Sequence, residues 1–363
     1  MSIPTILLVF HHRPMASGIF MRHAFRQAGC RVVTIGPQST EVYGIDGWED
    51  YEPPTITSPL IKEDEPMSCM EILALAANVG VRPDLLVMFD QYDKFYLYGE
   101  SPIPLIWLAG ENWNLEHRAR ADRRKADAEY YWIRHEQDAP SPPLAVAKDG
   151  KEAEWLWFGA DPFVHPRLPH IPRDKFIVQI GTHYEPRPTI WNQIRELLDG
   201  APSVSTETYS KSVQESALTL FGRAPSYREM AEVYNRGRFA ISCSTSDFVP
   251  MRICEAFAMG SVLLSDDVPS MRAAFGAPFP ENPEGIWVKH DRTAQGVVEA
   301  ARAAAGTTYY HDVLGKPVGE TAETGIRRRA TEFVYSQGLY YHHAVRICRR
   351  VGIQGIGRMV ADY

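Results

Sequence analysis

Cysteine is scarce in this chain, and the absence of several fingerprints narrows the reading before any motif is found. Five cysteines, Cys30, Cys69, Cys243, Cys254 and Cys348, are scattered over 363 residues, odd in number and without CxxC spacing. That argues against a disulfide framework and against a zinc site. No stretch approaches the roughly 18 to 20 consecutive apolar residues a spanning helix needs, so no membrane insertion is expected. The N-terminus enters the apolar run Thr5 to Phe10 (TILLVF) without the basic region and cleavage site of a signal peptide. A cytoplasmic protein with reduced thiols is the expectation. No strand runs into G-x-G-x-x-G and no G-x-x-x-x-G-K-[ST] occurs, while Gly352, Gly355 and Gly357 have no strand before them. A nicotinamide enzyme and a P-loop ATPase are therefore disfavoured. Acids and histidines nowhere cluster with magnesium or zinc spacing, so no metal is expected.

What is present describes a folded protein. Hydrophobic residues make up 45% and charged residues 23%, and the length exceeds what one core usually serves, so two domains are expected. A net charge of −7 offers no global attraction to nucleic acid. One segment runs against that average: His117 to Lys125 (HRARADRRK) sets Arg118, Arg120, Arg123, Arg124 and Lys125 against Asp122. Its bland reading is a solvated helix face; its sharper reading is a patch for a polyanionic acceptor.

Short apolar runs alternate with helical spacing along the whole chain, which signals α/β architecture with parallel sheets. Strands are expected at Thr5 to Phe10, Arg31 to Ile35, Asp84 to Phe89, Pro104 to Leu108 and Tyr130 to Arg134, with helices at Gly18 to Gln27 and Ser68 to Val79. A stretch with four prolines, Pro162 to Pro172, reads as a linker. The alternation then restarts. Strands are expected at Phe176 to Gly181, Ser203 to Thr208, Arg238 to Ser242, Ser261 to Ser265 and Ile286 to Lys289. Helices are expected at Pro188 to Leu198, Tyr227 to Asn235, Pro250 to Met259 and Thr293 to Ala304, with one last helical stretch from about Ala322 to Arg350. Two Rossmann-like units in tandem suit a two-substrate enzyme, though fold alone does not choose the chemistry.

The segment Ile241 to Asp267 (ISCSTSDFVPMRICEAFAMGSVLLSDD) is the most informative. Pro250 suits a first helical turn. The helix it opens is apolar except for Arg252 and Glu255, three residues apart on one face. Charges on such a surface are costly unless paired or bound to something. The alternatives are a structural ion pair and a ligand site. Asp247 lies eight residues before Glu255, and Gly260 closes the helix. This D-x7-E-A-x-A-x-G pattern resembles the E-x7-E signature of retaining GT-B glycosyltransferases.

Further matches point to the branch related to spore maturation proteins. They include Trp155 to Pro162 (WLWFGADP), Ile180 to Arg187 (IGTHYEPR), and Gly222 followed by Tyr227, Met230 and Tyr234. Pro250, Arg252, Glu255, Ala258 and Gly260 complete that family's helix motif, and Tyr341, His342 and His343 are a degraded counterpart of its C-terminal one.

The resemblance implies an α/β GT-B fold, with two Rossmann-like domains facing a central cleft and a C-terminal helix crossing back to the first domain. The expected boundaries are 1–165 for an acceptor domain, 173–320 for a donor domain and 321–363 for a helical extension. It implies sugar transfer from a nucleotide-sugar donor to an acceptor hydroxyl, with retention and without a metal. The donor is a co-substrate, a UDP-sugar or alternatively a GDP-sugar, and no tightly bound cofactor is expected. Glu255 would accept from the ribose hydroxyls and Asp247 would lie against the donor sugar. Asp stands there in place of the usual Glu.

Physical chemistry assigns compatible roles to the neighbours. Gly181, Thr182 and Tyr184 form a turn that can offer backbone donors to a diphosphate, with Arg187 and Arg252 supplying cationic charge. Pro250 and Met251 begin the helix whose N–H groups add to that set. Arg223 and Tyr227 are candidates to flank the base, with a plain core role as the alternative for Tyr227.

On the acceptor side, His11, His12, Asp90, Glu111, Asn112 and Trp113 follow expected strands, and Gly18 sits at the helix start after the first of them. The acceptor is left open as a glycan, a small molecule, or a polyanion such as modified DNA. The competing functions are a GT-B-fold sugar-nucleotide epimerase or hydrolase, and a non-catalytic nucleotide-sugar-binding protein.

Overall fold

The computed structural model describes residues 3–12, 17–38, 53–63, 65–90, 95–109, 126–131, 154–181, 187–199, 214–215, 218–222, 226–243, 249–306 and 321–357. In chain order these form β1 (Thr5–Val9), α1 (Ser17–Gln27), β2 (Arg31–Ile35), β3 (Met67–Ser68), α2 (Cys69–Asn78), β4 (Leu85–Asp90), β5 (Leu97–Tyr98), β6 (Leu105–Ala109), β7 (Ala128–Tyr131) and β8 (Glu154–Trp155). There follow β9 (Lys175–Ile180), α3 (Arg187–Asp199), β10 (Gln214–Glu215), β11 (Thr219–Gly222), α4 (Tyr227–Arg236), β12 (Gly237–Ser242) and α5 (Arg252–Ala258). The chain continues through β13 (Val262–Asp266), α6 (Pro269–Phe275), β14 (Val288–His290), α7 (Ala294–Gly306), α8 (Ala322–Gln337) and α9 (Tyr340–Arg350). The strand expected over Ser203 to Thr208 lies outside the described residues, as does the basic run of residues 117–125.

The chain divides into two compact units, Met1–Trp157 with Tyr340–Tyr363, and Phe158–Leu339. In the first, a sheet of order β2-β1-β4-β6-β7-β8 is parallel throughout. Such sheets are covered on both faces, which is why β1 and β4 read as unbroken apolar runs rather than as alternation. Ile6 through Phe10 have no exposed surface. Helix α1 lies against α9, with Phe20 and Tyr340 stacked at 5.3 Å, and the Gly357 N–H reaches the Ala28 carbonyl at 3.2 Å. Helix α2 starts on a capping box, in which Ser68 and Glu71 satisfy each other's backbone N–H groups.

The second unit has a sheet of order β10-β11-β9-β12-β13-β14, parallel except where the short β10 pairs with β11. Trp191 and Ile194 of α3 are fully buried among Ile177, Phe239 and Val297. Two glycines permit close approaches. A Cβ on Gly237 would stand 2.4 Å from Val178, and Gly260, at φ +75°, ends the turn after α5 in a left-handed conformation that favours glycine.

The proline-bearing stretch belongs to the second unit rather than linking the two. Asn235 of α4 clamps it, accepting the Leu168 N–H and donating to the Pro166 carbonyl, both at 2.8 Å. The last helical stretch is also not continuous. It breaks at Gly338, where a Cβ would meet Val334 at 2.9 Å, and Leu339 pairs with Ala160. Helix α8 stays with the second unit, tied by Glu323 to Arg238 of β12 and braced within the helix by Arg327; α9 alone completes the first. Helix α6 was not anticipated, although proline at its start and Gly276 at its end are ordinary helix punctuation.

Arg173 holds three chain ends together. Its guanidinium donates to the carbonyls of Tyr234 (3.2 Å), Gly237 (2.6 Å) and Met259 (2.6 Å), satisfying groups that α4 and α5 leave open at their C-termini. Arg173→Ala should therefore lower stability by about 3 kcal/mol, seen as an earlier urea midpoint at unchanged slope. An unmoved midpoint would show that water serves those carbonyls equally well.

Candidate active site

The strand order of the second sheet reverses its winding between β9 and β12. In open α/β sheets the crevice at such a point, at the carboxyl ends of the strands, is where ligands bind. Gly181 follows β9 and Cys243 follows β12, so both mark that edge. Around them the described residues gather four of the expected side chains and several that were not expected.

Arg187 opens α3 and is 4% exposed, so it is not a solvated surface cation. Its Nε donates to the Cys243 carbonyl at 2.9 Å, bridging from the helix that follows β9 to the end of β12. Arg252, at the first position of α5, lies over Gly181. A Cβ added to Gly181 would fall 2.6 Å from Arg252 Nη1 and 2.7 Å from Nη2, so the missing side chain is the space the guanidinium occupies. Nη1 is buried and has no hydrogen-bond partner. Arg252 and Glu255 form no ion pair, which removes the structural salt bridge as the reason for charge on this helix.

Glu255 is 5% exposed. Its Oε1 is 3.6 Å from Nε2 of His165, a residue with no exposed surface that reaches it from the proline-bearing stretch. Burial pushes the Glu255 carboxyl up to about 7 against the opposing pull of Arg252. Burial likewise pushes His165 down to about 4, so the imidazole is neutral beside it. Further along the edge, Arg292 Nε donates to Asp266 at 2.9 Å, and His290 Nε2 lies 3.2 Å from the Ser242 carbonyl. Those ties fix the ends of β12, β13 and β14.

The other expected residues divide. Pro250 and Met251 precede α5 as a turn, with Met251 already in helical conformation, so the helix proper begins at Arg252. Tyr227 is buried at the first position of α4, where Ser226 caps the helix by accepting the Glu229 N–H; that is the core setting weighed as its alternative. Asp247, Thr182, Tyr184 and Arg223 lie outside the described residues.

On the first unit, His11 and His12 follow β1 and Asp90 ends its neighbour β4, again where the strand order reverses. His11 Nε2 is 3.4 Å from Glu63. His12 has no exposed surface and stacks on Phe10 at 3.8 Å. Gly18 is structural: a Cβ there would meet the Phe10 ring at 2.3 Å. Glu111, Asn112 and Trp113 lie outside the described residues.

His165 and Arg173 were missed by the sequence reading. Asp161, Pro162 and His165 carried the one available signal, since Asp before proline favours a local turn that brings a residue four positions on back toward it.

Residues 195–311 match a family described as glycosyl transferase-like. A comparison with curated proteins finds no match to the sequence. Among solved structures, an alpha-glucosyltransferase in complex with UDP-glucose and DNA containing an abasic site is similar at TM-score 0.59 and 11% identity, over 96% of this chain and 100% of that one. A sucrose-phosphate synthase from Thermosynechococcus elongatus is similar at TM-score 0.52 and 12% identity, over 95% and 98%. Anabaena HepE in complex with UDP is similar at TM-score 0.53 and 10% identity, over 97% and 100%. At these identities the likeness concerns the fold, and the fold is GT-B, with two Rossmann-like units in one chain. Among the described residues no helix is long and apolar enough to cross a membrane, and no group of three acids, histidines or cysteines is placed to hold a metal ion.

The buried carboxyl has a measurable consequence. With its pKa raised in the folded state, Glu255 contributes stability that is complete below the ordinary carboxylate range and is lost as pH rises through about 7. Glu255→Gln should match the parent near pH 4 and exceed it by up to about 3 kcal/mol at pH 8. Thermal melts of both proteins across that range check it; a constant difference would mean that Glu255 does not titrate there.

Proposed function

We propose that this chain is a glycosyltransferase that moves a sugar from a nucleotide-sugar donor to an acceptor hydroxyl with retention, and that the second unit holds the donor. The observation that carries the reading is the convergence of Gly181, Arg187, Arg252 and Glu255 at the reversal of the β9–β12 strand order. An unsatisfied guanidinium nitrogen over a glycine turn is a site for a diphosphate, which accepts charge-assisted hydrogen bonds and tolerates close backbone approach. A carboxyl nearly cut off from water, with no cation paired to it, suits the two neighbouring hydroxyls of a ribose. Support from outside the chain is the glycosyl transferase-like match over residues 195–311 and the fold shared with proteins bound to UDP or UDP-glucose.

In the reaction the bond between the anomeric carbon and the diphosphate oxygen breaks. The acceptor oxygen bonds to that carbon on the same face, and its proton passes to the departing phosphate. The transition state places negative charge on the diphosphate, where Arg252, preorganised over Gly181, lowers the barrier most. Arg187 braces the edge through Cys243. In this reading Asp247 is assigned to the donor sugar, Arg223 to the base, and Thr182 and Tyr184, which follow Gly181 in the chain, to the diphosphate.

Incubating the full chain with a panel of UDP- and GDP-sugars tests the class. Saturable binding of at least one is expected, with Glu255→Ala abolishing it and Arg252→Ala weakening it by about 10- to 100-fold. Epimerisation or water-only hydrolysis in the presence of acceptors would replace transfer with the alternative chemistries, and no donor bound at all would remove the whole reading.

For the acceptor, the basic run Arg118 to Lys125 supports a polyanion, and one fold neighbour is an alpha-glucosyltransferase in complex with UDP-glucose and DNA. DNA affinity should then fall steeply as salt rises, with a log–log slope that shrinks when Arg123 and Arg124 are neutralised. Absence of DNA binding at low salt would send the search to neutral glycans and small molecules.

A further inference from the structure

The turn that carries His165 fixes one tautomer of its ring. Asp161 is buried; its Oδ1 accepts the Phe163 N–H at 3.0 Å, and its carbonyl accepts from Val164 (3.1 Å) and His165 (2.7 Å). The Asp161 N–H in turn donates to His165 Nδ1 at 3.0 Å. A ring nitrogen that accepts carries no proton, so the neutral imidazole bears its proton on Nε2. That is the nitrogen facing Glu255 Oε1 across 3.6 Å.

From this geometry we infer that His165 is a positioning residue for Glu255, its Nε2–H donating to the ionised carboxylate and holding it in the orientation that presents its remaining lone pairs to the donor hydroxyls. The role rests on the donor reading of Glu255 given above. At 3.6 Å the two atoms lie within ion-pair range and just beyond hydrogen-bond range, so a small rotation of either side chain closes the contact.

The surroundings let His165 act as a neutral donor while its partner changes charge. Burial holds the imidazole down to about 4, whereas the Glu255 carboxyl lies at about 7. Among the described residues the other titratable groups acting on Glu255 are Arg252 and Cys254 on its own helix and Tyr234 on α4, while Asp161 acts on His165 against its burial. Arg252 favours the charged carboxylate. Burial raises Cys254 and Tyr234, which keeps both un-ionised throughout the range in question. An apolar side chain in place of His165 leaves Arg252 as the one group in this set that favours the anion.

The test uses the full chain with His165→Leu and His165→Gln, and two readouts. One is the carbon-13 titration of the Glu255 carboxyl in the free protein, assigned by its loss in Glu255→Gln. The other is UDP-glucose affinity between pH 6 and 9. In His165→Leu the Glu255 midpoint should rise by about one pH unit, and UDP-glucose affinity should fall about tenfold near pH 7 while converging on the parent at pH 9. His165→Gln, whose amide nitrogen stands near the Nε2 position, should recover most of both.

An unchanged Glu255 midpoint in His165→Leu would overturn the proposal. So would an affinity loss of equal size at every pH, which is the mark of a purely structural role. The free-protein titration needs no donor. A shifted midpoint combined with undiminished UDP-glucose binding by Glu255→Ala would therefore overturn the donor reading while leaving the coupling in place.

Discussion

The reversal of winding direction between β9 and β12 is the constraint from which the chemistry of the second unit follows. Strands on the two sides of that point are connected in opposite senses, and the carboxyl edge at such a reversal is where open α/β sheets take their ligands. Backbone groups there have fewer neighbours from the sheet, and the protein supplies side chains in their place. Arg187 takes the Cys243 carbonyl, His290 approaches that of Ser242, and Arg292 secures Asp266. Gly181 contributes by omission, since the volume of its missing side chain is where the Arg252 guanidinium rests.

Two buried glutamates in this unit show how differently one fold can treat the same group. Burial acts to raise Glu323, but hydrogen bonds and charge from Arg238 and Arg327 outweigh it and hold the carboxyl below its ordinary range. That acid is spent on structure, joining α8 to β12. Glu255 receives only the pull of Arg252, which burial outweighs. A carboxylate withdrawn from water without a cation or a set of donors is expensive, and a chain can retain one at low cost only as a neutral acid or with a ligand to complete its shell. Its neighbours, a neutral imidazole and a guanidinium directed at Gly181 instead of at the acid, keep it poised between those states. The contrast separates a stabilising buried charge from a candidate binding one without reference to any relative.

The parts of this architecture legible in the sequence are those encoded over short distances. Strands buried on both faces appear as apolar runs, α3 and α4 appear as helical spacing, and Pro250, Arg252, Glu255 and Gly260 fall within eleven residues. What escaped depends on partners far away. Arg173 binds carbonyls 61, 64 and 86 positions on, and backbone acceptors leave no mark on sequence. Reading Pro162 to Pro172 as a linker failed for the same reason: prolines do exclude regular structure, but the decision to dock the segment lies with Asn235, about seventy residues later. His165 leaves no local mark because its partner Glu255 lies ninety residues on, while the arginine at i,i−3 from Glu255 is near in sequence.

The division of labour that results is asymmetric. Arg187, Arg252, Glu255 and His165 are carried by helices or by a hydrogen-bonded turn, so their positions are set by packing, and in the proposed function such preorganised groups would serve the features common to every nucleotide-sugar: a diphosphate and a ribose. Segments 182–186, 223–225 and 244–248 follow β9, β11 and β12 in the chain, and they contain Thr182, Tyr184, Arg223 and Asp247. Base and sugar identity vary between donors while the groups joining them do not. Under the proposed function, substitutions in those segments should change which donor is chosen, whereas substitutions of Arg187, Arg252, Glu255 or His165 should change whether any donor is held. Asp247 and Glu255 thus stand on opposite sides of that line, despite belonging to one motif.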